Sequence, residues 1–174
     1  NAQNSSNLYA VSAAGALITQ DKGQDNGSTN FGLGLSGTAS YNTLESVSEA
    51  YVNNAVIKGV SGASRDEEKR PALEVASNND NDVLTVGGGV SFVKQSGTNV
   101  GIAGAVGINK LDGSRSVAFV NNAKVDNIGD LKIHAASTGE IIAAAESASG
   151  AFGKTGITIA GAVSINEIGN RTAA

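Results

Sequence analysis

The nonapeptide GIAGAVGIN at residues 101–109 recurs, and this recurrence restricts the architecture more than any other feature of the chain. TIAGAVSIN at residues 158–166 matches it at seven of nine positions. GLSGTASYN at residues 34–42 matches at three, Gly34, Gly37 and Asn42, with the same spacing of small and large residues. A second echo sets AYVNNA (50–55) against AFVNNA (118–123), and a third sets Leu73-Glu74-Val75-Ala76-Ser77 against Leu131-Lys132-Ile133-His134-Ala135. A chain made of such units is more often an interaction scaffold than an enzyme.

The units read as strands. Leu33, Leu35, Gly37, Ala39 and Tyr41 fall on one face of residues 31–41, and Gly32, Gly34, Ser36, Thr38 and Ser40 on the other, a period of two. In the 101–109 nonapeptide, Ile102, Gly104, Val106 and Ile108 share a face, opposite Ala103, Ala105 and Gly107. The expectation is that the branched residues fill a narrow core. The Gly/Ala face is then either a site of close approach by another layer or a loose outer face. Residues 140–146 (EIIAAAE) have helical propensity. Their counterpart, DVLTV followed by three glycines at 82–89, is a poor helix, and equivalent positions share one structure, so both are expected to be strands.

The nonapeptide anchors are Gly34, Gly101 and Thr158, so the first step along the sequence is 67 and the second 57. The difference of 10 is the length of the charged segment at residues 62–71, which reads as an insertion. A spacing of 57 divides into three coils of about 19, which suits a parallel β-solenoid with coils ~4.8 Å apart. One solenoid fragment is expected over residues 1–174, in units of about 1–30 (partial), 31–98, 99–155 and 156–174 (partial). The pattern is cut at both ends, so the chain reads as part of a larger protein.

Composition narrows the classes. Apolar residues make up 40% but aromatics only 4%, so the core must be Val, Ile, Leu and Ala. A net charge of −4 with no Lys/Arg run argues against a nucleic-acid partner. Without Cys there are no disulfides or thiolate metal sites. No apolar run of about 18 residues is present, so no membrane insertion by a helix of this segment is expected.

Candidate chemistry is sparse. His134, the only histidine, has Ala76 as its counterpart and reads as a solvent-facing spacer. Asp80 and Asp82, within NNDND at 78–82, are the only candidate metal ligands, but the run lacks the glycine and distal Glu of a calcium loop and reads as a polar turn. No catalytic residue and no cofactor or metal are assigned. Asn42, Asn109 and Asn166 end the nonapeptides, and Asn53-Asn54 and Asn121-Asn122 are doubled. Turn positions are the favoured reading for these asparagines, with stacked amide ladders the alternative. Arg65, Asp66, Glu67, Glu68, Lys69 and Arg70 form the candidate contact loop, a solvated charge run.

GIAGAVGIN, TIAGAVSIN, SVAFVNNAKV (116–125) and GDLKIHAAS (129–137) together resemble the repetitive passenger regions of very large secreted Gram-negative exoproteins. These are the filamentous-haemagglutinin-like and leukotoxin-type adhesins exported by type V routes. The resemblance covers residues 31–174 and departs at the charged insertion. It implies a right-handed parallel β-helix, a secreted or cell-surface location, and no catalytic residues. The expected function is a structural and adhesive stalk segment whose partner is a host or bacterial surface protein or glycan, with self-association open. A carbohydrate-active β-helix enzyme, such as a lyase or glycosidase, is one rival. A self-assembling scaffold or toxin segment is the other. Carboxylates about 5 to 10 Å apart in a groove favour the enzyme, and a flat exposed Ala/Gly face favours assembly.

Overall fold

Side chains that alternate over long stretches can lie flat only against other extended chains. The computed structural model describes residues 1–19, 30–59 and 71–174. These residues form β1 (Ala2–Thr19), β2 (Phe31–Leu44), β3 (Val47–Asn53), β4 (Val56–Lys58), β5 (Leu73–Lys94), β6 (Thr98–Asn121), β7 (Lys124–Asp126), β8 (Leu131–Phe152) and β9 (Thr155–Ala173), with no helix among them. The chain is all-β. Residues 140–146 lie inside β8, with Glu140 beside Asp82 and Glu146 beside Gly88. Pairing along 22 residues of β8 thus overrides the helical propensity of its alanines.

All the strand pairings among the described residues are parallel. One sheet runs β1-β5-β8. A second has β6 at its centre, with β9 on one edge and β2 followed by β3 on the other; β4 and β7 make a short third pair. Each echo found in the sequence is a hydrogen-bonded register. Gly34 lies beside Gly101 and Gly101 beside Thr158. Ala50 lies beside Ala118, and Leu73 beside Leu131.

This register replaces the short coil expected from dividing the repeat by three. Direct neighbours such as Ile102 and Ile159, or Ala2 and Ser77, belong to successive repeats, so one whole repeat separates adjacent strands. The reason is strand length: β5 and β8 each run for 22 residues without a break, and β6 runs for 24 with one irregularity between Leu111 and Ser114. The register also places the extra segment. Lys58 lies beside Asp126 and Leu73 beside Leu131, so the link from Lys58 to Leu73 is ten longer than the link between their neighbours. The expected insertion thus falls between β4 and β5. The contact-loop residues Arg65, Asp66, Glu67, Glu68, Lys69 and Arg70 lie outside the described residues.

The expected core is inverted. Ala103, Ala105 and Gly107 are buried, while Val106 on the opposite face is 43% exposed. The inner faces of the two large sheets carry Gly, Ala, Ser, Thr and Asn and press together. A Cβ on Gly89 of β5 would sit 2.6 Å from the carbonyl oxygen of Gly104 in β6, an approach that leaves no room for branched side chains. The Gly/Ala face is therefore the seat of close approach by another layer. Larger apolar side chains enter this interior at Val83, Val93 and Leu111, and in a cluster of Ala50, Val75 and Ala118 backed by Leu73, Val120 and Ile133.

Hydrogen bonds satisfy much of this polar interior. Ser77 Oγ donates to the Ser48 carbonyl (2.8 Å) and Ser91 Oγ to the Gly34 carbonyl (2.9 Å). Ser46 Oγ lies 2.9 and 2.7 Å from the amide oxygens of Asn79 and Asn81. The asparagines that end the nonapeptides are not turn residues, contrary to expectation. They form a ladder in mid-strand: Asn42 Nδ2 donates to Asn109 Oδ1 (2.9 Å) and Asn109 Nδ2 to Asn166 Oδ1 (2.8 Å), while Thr85 Oγ1 also donates to Asn109 Oδ1 (2.7 Å). The doubled asparagines do both jobs. Asn54 and Asn122 adopt left-handed backbone (φ 51° and 46°), which asparagine tolerates, and Asn122 Nδ2 donates to Asn54 Oδ1.

Candidate interaction surface

Because small residues occupy the interior, period two sends the branched and aromatic residues outward. On the β2-β6-β9 sheet they stack in cross-strand rows: Leu33–Val100–Ile157, Leu35–Ile102–Ile159, Ala39–Val106–Val163 and Tyr41–Ile108–Ile165. Between the second and third rows runs Gly37–Gly104–Gly161, a shallow groove across the strands. The β1-β5-β8 sheet has its own outward row in Tyr9–Leu84–Ile142, and Val11, Val86, Val90 and Phe92 extend that face. Such rows support the sheet, each neighbouring pair contributing roughly 0.2–1 kcal/mol. They also leave two broad apolar faces open to solvent, and faces of this kind mark interaction surfaces.

Polar features lie at the rims. Arg115 pairs with Glu49, and Lys110 Nζ lies 3.0 Å from Glu167. The hydrogen bond and charge of Glu167 raise the Lys110 pKa above its ordinary value. At the corner where β3 ends, Tyr51 and Phe119 stack with centroids 5.3 Å apart and planes 13° from parallel, the one position where the second echo differs.

The candidate site residues are not brought together. Asp80 and Asp82 lie in mid-strand β5, not in a turn, and Asp80 faces outward while Asn79 and Asn81 face inward. Alternation therefore divides the oxygen-bearing side chains of this run between two faces. Asp80 Oδ1 instead accepts a hydrogen bond from Thr138 Oγ1 (2.5 Å). Among the described residues, no group of three His, Asp or Glu side chains is placed to hold a metal ion. His134 faces solvent beside Ala76, as expected, with its Nε2 3.7 Å from Glu74. A cleft of about 300 Å³ holds Glu49 and Glu74 beside Asn1 and Tyr51, but each carboxylate already has a basic neighbour, Arg115 and His134. What the surface offers chemically is flat apolar contact, edged by a few ion pairs. The outward rows were missed in the sequence. Their signal was present in the alternation, but it does not say which face turns inward.

No protein-family model, curated protein or solved structure matches this chain.

Proposed function

We propose that the chain is a stalk segment of a secreted or surface-displayed bacterial exoprotein, wound as a right-handed parallel β-helix with a repeat of about 57, the step between Asn109 and Asn166, and that it works by contact and not by catalysis. The observation that carries this reading is the register: each repeat lies directly on its predecessor, in parallel, so length grows by one strand spacing, about 4.8 Å, per repeat. Lengthening by accretion is what projecting a binding element from a surface requires. The adhesive half of the proposal is supported by the exposed apolar rows and by the charged insertion between β4 and β5, which offers variable contacts to a surface protein or glycan. No cofactor is needed.

The test is removal of residues 62–70. Loop closure entropy changes only by about 0.6 kcal/mol per doubling of length, so stability should stay within roughly 1 kcal/mol in chemical denaturation. The intact chain should bind saturably to one class in a panel of immobilised glycans and surface proteins, and the shortened chain should bind at least tenfold more weakly, an effect on the order of 1.4 kcal/mol. No saturable binding by the intact chain would end the adhesive reading. A deletion that unfolds the chain would show that the segment belongs to the scaffold.

A further inference from the structure

The outward faces of the two large sheets are both apolar, but they differ in charge and in relief. On the β1-β5-β8 sheet, Asp82 and Glu140 stand side by side and Glu146 stands beside Gly88, with all three carboxylates facing outward. Two such faces brought together would set carboxylates against one another. On the β2-β6-β9 sheet, the six outward rows from Phe31–Thr98–Thr155 to Tyr41–Ile108–Ile165 carry no charged side chain. Lys110 and Glu167, in the row that follows, are already paired with each other. The centres of protein interfaces are depleted of charge in the same way.

The relief of this face matches itself. The glycine groove Gly37–Gly104–Gly161 lies two residues along the strands from the ridge Leu35–Ile102–Ile159. Among the described residues, and leaving out chain neighbours, a Cβ on Gly161 would have nothing within 4 Å, and one on Gly37 or Gly104 only the carbonyl oxygen of the next glycine in the row. The groove is thus open down to the backbone. A two-fold axis parallel to the rows and midway between ridge and groove lays each ridge in the other copy's groove. The same operation sets the Val106 row over the Val100 row, and the Ile108 row over the Thr98 row, so all six rows find a counterpart.

We infer that the occupant of this face is a second copy of the same chain, seated face to face with its strands antiparallel across the contact. The interface is isologous and closes as a dimer, with the sheets about 10 Å apart. The patch measures about 33 Å along the strands and about 14 Å across them. That amounts to about 900 Å² over the two copies, near the lower bound of specific interfaces, so the dimer is reversible. The contact uses no strand edge. It goes beyond the stalk reading, does not rest on it, and leaves the β1-β5-β8 face for other partners.

Sedimentation velocity over a range of concentrations tests it, with far-UV circular dichroism as the check on folding. The unmodified chain should pass from monomer to dimer as concentration rises. Gly104→Ile fills the groove in the central strand, where no other side chain is met, and should weaken association at least tenfold with the strand signal unchanged. Ile102→Gly removes the ridge and should do the same. The two together exchange ridge and groove, and should restore association. Leu84→Lys, on the outward face of the other sheet, should leave it unaltered. A chain that stays monomeric at every concentration overturns the inference. So does association that neither β6 substitution weakens, that the double substitution fails to restore, or that Leu84→Lys abolishes in folded protein.

Discussion

Leu111→Asp should leave the chain unfolded or nearly so at room temperature. Leu111 is fully buried, between Leu44 and Ile168 in register, and its side chain reaches across to the backbone of Gly139 in the facing sheet. A carboxylate there would lose its water with no cation to replace it, a penalty of several kcal/mol per ion. Whole domains of this size are stable by only about 5–15 kcal/mol. Val106→Asp, in the same strand, is the informative control. Hydrophobicity alone would place Val106 in the core, yet its side chain faces outward, so the change should cost under about 1 kcal/mol. Urea denaturation followed by circular dichroism separates the two. Equal losses, or the opposite order, would mean that the inner and outer faces are exchanged.

Gly89→Leu should be nearly as damaging for a different reason. Its Cβ would lie 2.6 Å from the Gly104 carbonyl oxygen and 3.3 Å from the Gly104 nitrogen. Both are backbone atoms of a central strand, so no side chain can rotate aside. The sheets would have to separate, breaking bonds between them such as Ser91 Oγ to the Gly34 carbonyl. Overpacking typically costs about 1–3 kcal/mol, and a backbone collision belongs at or above the upper end. Gly161→Ala makes the contrast. Nothing lies within 4 Å of its Cβ position, and replacing a strand glycine should be neutral or stabilising by roughly 0.5–1 kcal/mol. If both substitutions are harmless, the close approach of the sheets is wrong.

The register of the fold was legible in the sequence because equivalent residues stack on one another. The nonapeptides that start at Gly101 and Thr158, and the echoes that start at Ala50 and Ala118 and at Leu73 and Leu131, all lie side by side as cross-strand neighbours. The perimeter of a repeat was not legible, because dividing the repeat by three assumes corners that the long strands β5 and β8 do not have. Nor was the direction of the faces. Period two defines two faces, and the usual preference for burying Ile and Val chooses the wrong one here. The deciding quantity is the distance between sheets, set jointly by Gly89 in β5 and Gly104 in β6, which nothing in the sequence pairs with each other. The asparagines at the nonapeptide ends gave a usable hint, since a polar side chain repeated at one register position is suited to a ladder. The outward apolar rows followed only once the interior was known.

The central claim is that equivalent positions of successive repeats are direct parallel neighbours. Because the chain has no cysteine, any thiol introduced is the only one present. Ile102 and Ile159 are register partners on the outward face, one repeat apart in sequence. Parallel neighbours lie ~4.8 Å apart, within the ~4.4–6.8 Å between Cα atoms that a disulfide spans. A coil one third as long would instead set Ile102 beside Asn121, whereas both lie in β6, about 60 Å apart at the usual rise per residue. Mild oxidation at low protein concentration should therefore close an intrachain disulfide in Ile102→Cys/Ile159→Cys and none in Ile102→Cys/Asn121→Cys. Ready closure of the second pair with failure of the first would contradict the account.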